Sequence, residues 1–118
     1  MNVIKNGESA MKLTESKNNE FQKKIDAYKA KFGNLYQYEV LLDNGEKAIF
    51  ILKQPSRKVL ASATAAANGD SMKYNEIVLK NSVVDGDVSL LEEDSIFYGL
   101  SSKLEELISI KIGELKKL

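Results

Sequence analysis

Asp85 and Asp87 come nearest to the spacing of a metal-binding site. They flank Gly86 in the sequence DGD, which resembles a fragment of a calcium-binding loop. An EF-hand loop needs further oxygen ligands and a glutamate at its twelfth position. Counted from Asp85, that position is Ile96. We therefore interpret the DGD sequence as an acidic turn rather than as a calcium site.

Glu92, Glu93 and Asp94 form a second acidic cluster, directly before a stretch with helical spacing. Consecutive residues at the start of a helix point in different directions, so their carboxylates do not converge. Acidic side chains at this place also complement the positive end of the helix dipole. We therefore interpret the cluster as a solvated helix start rather than as a catalytic set.

The chain contains no histidine and no cysteine among its 118 residues. The lack of histidine removes the side chain that most often acts as an acid or a base near neutral pH. The lack of cysteine excludes disulfides, thiolate catalysis and cysteine-ligated metals. We therefore expect no enzyme activity, no cofactor and no metal site. A small enzyme that uses carboxylates or lysines stays open as the weakest alternative.

The charges are balanced, with 17 basic and 17 acidic residues. Arg57 is the only arginine, and the lysines are interspersed with acids, whereas nucleic-acid binding relies on clustered cations. No apolar run in the sequence approaches the roughly 20 residues that span a bilayer, and the polar N-terminus lacks the core of a signal peptide. We therefore expect no nucleic-acid partner, no membrane association and a cytoplasmic location.

Two runs rich in strand-forming residues, 35–42 and 47–53, flank an Asn-Gly dipeptide. This arrangement predicts a β-hairpin with a type I′ turn, in which both central residues have positive φ. The pairs that this turn predicts are Leu42–Lys47, Val40–Ile49 and Tyr38–Ile51. The two predicted faces carry Tyr36, Tyr38, Val40, Ile49 and Ile51 on one side, and Leu35, Leu41, Ala48, Phe50 and Leu52 on the other. Both faces are partly apolar, so we expect cover on more than one side or pairing with another chain.

Helical spacing predicts the remaining elements. Gly33 stands where a C-cap glycine ends the first helix. Ser56 is placed to cap an alanine-rich helix, and Asp70 or Ser71 is placed to cap the next one. The predicted helices span 14–32, 57–68, 72–83 and 95–117, and 84–91 is predicted to be a loop.

The last predicted helix has a broader apolar stripe than one packing face requires. A heptad-like spacing is followed by Phe97, Leu100, Leu104, Leu107, Lys111 and Leu115, and the apolar stripe is widened by Ile108, Ile112 and Leu118. Either this helix is buried against the hairpin on several sides, or part of it packs on another subunit. The second alternative implies a homo-oligomer.

Together these elements predict an α+β fold. A β-hairpin at about 35–53 packs with about four α-helices, of which the C-terminal one is long. Residues 1–13 are predicted to be a flexible tail, and 14–118 a single domain, because the sequence contains no internal repeat and no linker that would split it.

A series of short motifs runs from residue 53 to the end of the chain. They are Lys53-Gln54-Pro55-Ser56-Arg57-Lys58, Asn68-Gly69-Asp70, Asn75-Glu76-Ile77-Val78-Leu79, Gly86-Asp87, Leu104-Glu105-Glu106-Leu107-Ile108 and Glu114-Leu115-Lys116-Lys117. Their order resembles that of small proteins from tailed phages and prophages, of the tail-assembly-chaperone type. The resemblance covers about 35–118. It implies a non-enzymatic, self-associating protein that binds tail proteins in the bacterial host cytoplasm or stays associated with the virion.

The leading hypothesis is therefore a chaperone-like protein that binds phage tail proteins through apolar surface. A structural virion component, such as a connector or accessory subunit, is the alternative, and its presence in purified particles would distinguish it. The residues expected to contact partners are Arg57, Lys58, Phe97, Leu104, Ile108, Ile112 and Leu115.

Overall fold

The structure, a computed structural model, describes residues 18–118. Contacts divide the chain into two units, of which the structure describes residues 18–33 and residues 34–118. The predicted N-terminal tail lies outside the described residues. The interpretation of 14–118 as one domain stays a prediction.

The first unit contains helix α1, residues 18–32, which lies within the helix predicted over 14–32. Ile25, Tyr28 and Phe32 are half-buried, and the ring centroids of Tyr28 and Phe32 lie 6.4 Å apart. Gly33 follows with a φ of 81°, and its amide donates to the carbonyl oxygen of Lys29 at 2.9 Å. The predicted C-cap glycine is therefore confirmed.

The second unit begins with a β-hairpin, whose strands are β1 (Leu35–Leu41) and β2 (Lys47–Lys53). A third strand, β3 (Val83–Asp85), pairs antiparallel with β2. The sheet order is therefore β1-β2-β3. The predicted hairpin is confirmed, and together with the helices it gives the predicted α+β fold.

The hairpin register differs by one residue from the predicted one. Tyr38 pairs with Phe50 instead of Ile51, and Val40 pairs with Ala48. A shift of one residue moves the side chains of one strand to the opposite face relative to the other strand. The predicted faces were therefore wrong. The face that packs on the core combines Tyr36, Tyr38, Val40, Ala48, Phe50 and Leu52.

The turn between β1 and β2 causes this shift. The Gly45 amide donates to the Leu42 carbonyl at 3.0 Å, and the Leu42 amide donates to the Glu46 carbonyl at 2.7 Å. Gly45 has a φ of 86°, whereas Asn44 does not have a positive φ. These features belong to a three-residue loop that ends in a glycine bulge, not to a type I′ turn. The Asn44 Oδ1 also accepts the Glu46 N–H at 2.9 Å, which stabilises the loop.

Two helices follow the hairpin, and both begin at predicted caps. They span Arg57–Ala67 (α2) and Ser71–Ser82 (α3). The Ser56 hydroxyl accepts the N–H of Val59 at 3.2 Å. The Asp70 carboxylate accepts the N–H groups of Met72 and Lys73 at 3.0 and 3.2 Å. Each cap satisfies amides that the first helical turn leaves without a partner.

The prediction of a loop over 84–91 was wrong. This part of the chain contains most of β3 and a 3₁₀ helix, Val88–Glu92. Gly86 lies between them with a φ of 124°, and a Cβ there would lie 2.9 Å from both the Ile49 carbonyl oxygen and the Phe50 Cδ1. The segment packs closely on β2. Its local sequence is typical of a turn, and it forms a strand because it pairs with β2.

The C-terminal region is helical only as far as residue 107. It contains α4 (Asp94–Ser101) and α5 (Leu104–Leu107), whereas 108–118 have no regular secondary structure. Helices are thus present where predicted, but one long helix over 95–117 is not formed. The isoleucines in 108–113 recur at every second residue and a glycine follows them, so helical spacing is lost there.

The core of the second unit joins the sheet to α2, α3, α4 and α5. Phe50, Val78 and Leu79 are fully buried in it. Because one cluster takes residues from all these elements, it fixes α3 and α4 as neighbours. Its members are Phe50, Leu52, Ala63, Val78, Leu79, Leu91, Ile96, Leu100, Leu104 and Leu107.

None of the helices described between residues 18 and 118 combines the length and the apolar character needed to cross a membrane.

Candidate partner-binding site

A groove of about 430 Å³ is formed by α3, the 3₁₀ helix and α4, and we name it the α3–α4 groove. Asp70 caps α3 at one end of the groove, and Asp94 is the first residue of α4. Leu91 connects the groove to the hydrophobic core. The lining residues are Asp70, Met72, Lys73, Glu76, Lys80, Leu91, Glu92, Asp94, Phe97 and Tyr98.

Two apolar side chains of the α3–α4 groove, those of Met72 and Tyr98, are open to solvent. Met72 is 51% exposed and Tyr98 is 53% exposed, while Phe97 is half-buried. The rings of Phe97 and Tyr98 meet edge to face, with centroids 6.0 Å apart and an interplanar angle of 61°. Methionine adapts to irregular surfaces, and aromatic residues supply much of the contact area in protein interfaces. This combination is suited to an apolar side chain of another protein.

Lys80 links two walls of the groove. Its ammonium donates to the Glu76 carboxylate at 2.8 Å within α3 and to the Glu92 carboxylate of the 3₁₀ helix at 3.4 Å. The hydrogen bond to Glu76, with a smaller effect from Glu92, raises the pKa of Lys80 above its ordinary value. A lysine that acts as a base or a nucleophile needs a lowered pKa. Lys80 therefore stays protonated at neutral pH and serves as a link between the walls.

Three of the carboxylates singled out in the sequence, those of Asp85, Asp87 and Glu93, make local bonds. Asp87 caps the 3₁₀ helix by accepting the N–H of Ser89 at 3.0 Å, and Asp85 accepts the N–H of Gly86 at 2.9 Å. The Glu93 carboxylate accepts the hydroxyl of Ser95. Within residues 18–118, no three or more acidic side chains are grouped so that they could hold a metal ion.

No protein-family model and no curated protein matches the chain. The fold is similar to the solved structure of an uncharacterised protein from Bacillus stearothermophilus, with a TM-score of 0.54 and 16% sequence identity. The match covers 79% of this chain and 99% of that chain. At this identity the similarity concerns the fold alone.

The predicted residues Arg57 and Lys58 lie away from the α3–α4 groove. Both are exposed in the first turn of α2, which contains no acidic residue. Neither forms an ion pair with any residue in the described part of the chain. Lys58 lines a smaller cavity of about 180 Å³, together with Val59 and Ile77.

The other five predicted residues divide among four environments. Phe97 lines the groove. Leu104 is 6% exposed and belongs to the core, so its side chain is not available at the surface. Ile108 is half-buried after α5, whereas Ile112 and Leu115 are 92% and 99% exposed. The seven predicted residues therefore do not form one continuous surface.

Sequence reasoning did not identify Met72, Tyr98 or Lys80 as site residues. Glu76 and Lys80 have the i, i+4 spacing of a helical ion pair, which is a readable signal. The adjacency of α3 and α4 is created by the shared core, and no local pattern marks it. The groove was therefore beyond what local patterns predict.

Proposed function

We propose that the protein is a non-enzymatic binding protein that covers an apolar segment of another protein in the α3–α4 groove. The observation that supports this most is the exposure of Met72 and Tyr98 beside Phe97, in a groove that reaches the core at Leu91. Exposed apolar residues that lie together and are rimmed by polar ones are typical of protein-interaction sites.

The charges around the groove suggest the character of the bound segment. Lys80 is engaged by Glu76 and Glu92, whereas Lys73 forms no ion pair with the residues that the structure describes. Asp70 already accepts two amides of α3. We infer that the partner presents an apolar side chain to Met72, Phe97 and Tyr98, with an acidic residue nearby that pairs with Lys73.

The finer part of the proposal concerns the partner and the process. The order of motifs over 35–118 resembles phage proteins of the tail-assembly-chaperone type, which supports a tail protein as the partner. The mechanism would be reversible covering of an apolar surface on an unassembled tail protein. The proposal implies action in the bacterial cytoplasm, with proteins rather than nucleic acid as partners.

The test is a pull-down from the native source with three forms of the full chain. The groove variant carries Met72→Ser and Tyr98→Ser. The control variant carries Leu41→Ser and Ile49→Ser, which remove exposed apolar residues of the hairpin instead. We expect the wild type and the control to retain tail proteins, and the groove variant to lose them, with mass spectrometry as the readout.

Two results would contradict the proposal. Recovery of the same proteins by the groove variant would exclude the groove as the binding site. Recovery of metabolic enzymes alone would exclude a role in tail assembly. Circular dichroism of the groove variant must first match the wild type, because a loss of binding is informative only in a folded chain.

A further inference from the structure

Residues 108–118, which we name the C-terminal arm, begin with the pattern of a β-strand. Isoleucines stand at alternate positions from 108 to 112, separated by Ser109 and Lys111. In an extended chain this alternation puts all three isoleucines on one face. Isoleucine is also enriched in strands. The arm nevertheless pairs with no strand in the part of the chain that the structure describes.

Strand β1 offers an open edge in the same unit. It pairs with β2 on one side, and no other described strand lies on its opposite side. The Leu42 amide donates to the Glu46 carbonyl, so the backbone groups of Leu42 point toward β2. The backbone groups of every second residue of a strand point to the same side, and those of the residues between them point to the other side. The backbone groups of Gln37, Glu39 and Leu41 therefore face outward. An edge of this kind is a template for a further strand.

The two faces of the arm match the two faces of β1. Tyr36 and Tyr38 lie on the face that packs on the core, where the isoleucines of the arm would extend the apolar surface. Glu39 lies on the opposite face and holds Lys47 at 3.4 Å. Lys111 would lie on that same face, and opposite charges on adjacent strands stabilise their pairing.

The position of the arm indicates that it does not use the edge of its own chain. Leu107, which precedes the arm, shares a cavity of about 190 Å³ with Tyr36 and Tyr38 of β1. Beyond Ile108, however, no hydrogen bond or ion pair connects the arm to another residue in 18–118, and Ile112 is exposed. The arm therefore begins close to β1 and leaves without pairing with it.

We propose that two copies of the chain exchange their arms, so that residues 108–112 of each add a strand to β1 of the other. Each copy has one arm and one open β1 edge. In a two-fold dimer, both arms therefore pair with both edges. Because the α3–α4 groove takes no part in this exchange, the proposal does not depend on the proposed function.

The test uses engineered cysteines, since the natural chain has none. One chain carries Gln37→Cys on β1, and a second carries Lys111→Cys on the arm. The two are mixed and mildly oxidised. We expect a disulfide-linked dimer of the two different chains. A mixture of Lys73→Cys and Lys111→Cys chains is the control, because Lys73 lies in the groove, and it should give much less of this product.

Two outcomes would overturn the proposal. One is the absence of the mixed dimer together with a monomeric mass in sedimentation at high concentration. The other is a double variant, Gln37→Cys with Lys111→Cys, that closes only within its own chain. The second outcome would mean that the arm pairs with β1 of the same copy.

Proline variants test the strand pairing through the backbone. Adjacent N–H groups in a strand point in opposite directions, so one of Ile110→Pro and Lys111→Pro removes a donor that faces β1. That variant should raise the dimer dissociation constant by about tenfold or more. Leu115→Pro, beyond the proposed strand, should leave the constant unchanged. Equal dimerisation by all three variants would contradict the proposal.

Discussion

The phenolic oxygen of Tyr38 fills the space beside Gly99. A Cβ built on Gly99 would lie 2.7 Å from that oxygen and 4.0 Å from the ring carbon that carries it. Tyr38 belongs to β1 and Gly99 to α4, so the absence of a side chain at residue 99 lets the helix approach the sheet. The hydroxyl group alone makes the contact too close for an alanine, because 4.0 Å is an ordinary van der Waals distance.

This contact predicts that Gly99→Ala changes the free energy of unfolding in opposite directions in the wild type and in the Tyr38→Phe variant. Gly99→Ala should destabilise the wild type, because overpacking of about 1–3 kcal/mol exceeds the gain in helix propensity of about 1 kcal/mol. With Tyr38→Phe the clash is absent, so the same substitution should stabilise by up to about 1 kcal/mol. Urea unfolding of the four proteins measures the coupling free energy. Equal effects of Gly99→Ala in both backgrounds would contradict the account.

Gly86 and Gly45 allow a second prediction with a matched control. Both have positive φ, but a Cβ at Gly86 would meet the Ile49 carbonyl and the Phe50 ring at 2.9 Å, whereas a Cβ at Gly45 would meet nothing within 4 Å. Gly45→Ala should therefore cost about 1 kcal/mol from backbone strain alone. Gly86→Ala should cost about 2–4 kcal/mol, because overpacking is added and the φ of 124° lies further from the left-handed region that an alanine can adopt. Similar losses of unfolding free energy in the two variants would show that β3 is not held closely against β2.

Local patterns in the sequence are sufficient to predict the helix caps and the presence of the hairpin. Ser56 and Asp70 were identified as caps because a cap acts on amides two or three residues away. The hairpin was identified, but its register was not, since Asn-Gly fits two turn types that differ by one residue. Of Asn44 and Gly45, only Gly45 has a positive φ in the folded chain, and this decides the turn type.

Elements that depend on tertiary contacts could not be predicted from local sequence patterns. Strand β3 has three residues and exists because it pairs with β2. Ile108 and Ile112 were included in a helical stripe, although the two-residue period of the isoleucines after Leu107 already indicated an extended segment. The α3–α4 groove requires two helices that are brought together by the buried cluster around Val78 and Leu79.

Lys80 provides a prediction on pH dependence. Its pKa is raised in the folded protein, chiefly by the hydrogen bond to Glu76, so its contribution to stability is complete below its ordinary value of 10.5. That contribution is lost as the pH rises through the higher pKa of the folded state. Lys80→Met should therefore be less stable than the wild type at pH 8, and the difference should shrink above pH 10.5.

The control for this experiment is Lys73→Met. Lys73 lies on the same helix and lines the same groove, but it forms no ion pair with a residue of the described chain. Its substitution should leave the pH dependence of the unfolding free energy close to that of the wild type. If the unfolding free energies of Lys80→Met and Lys73→Met depend on pH in the same way between pH 8 and pH 11, the bonds of Lys80 to Glu76 and Glu92 do not stabilise the fold.

Leu104 and Leu115 were both expected to contact partners, and their environments predict opposite behaviour. Leu104 is buried in the core, so Leu104→Ala should lower the free energy of unfolding by about 2–5 kcal/mol. Leu115 is almost fully exposed, so Leu115→Ala should change it by no more than about 0.5 kcal/mol. Urea unfolding is measured at a micromolar protein concentration and again at a tenfold higher one. The comparison distinguishes an effect on the stability of one chain from an effect on association. A large loss of stability for Leu115→Ala at the lower concentration would mean that the end of the arm packs on its own chain, which would contradict its exposed position.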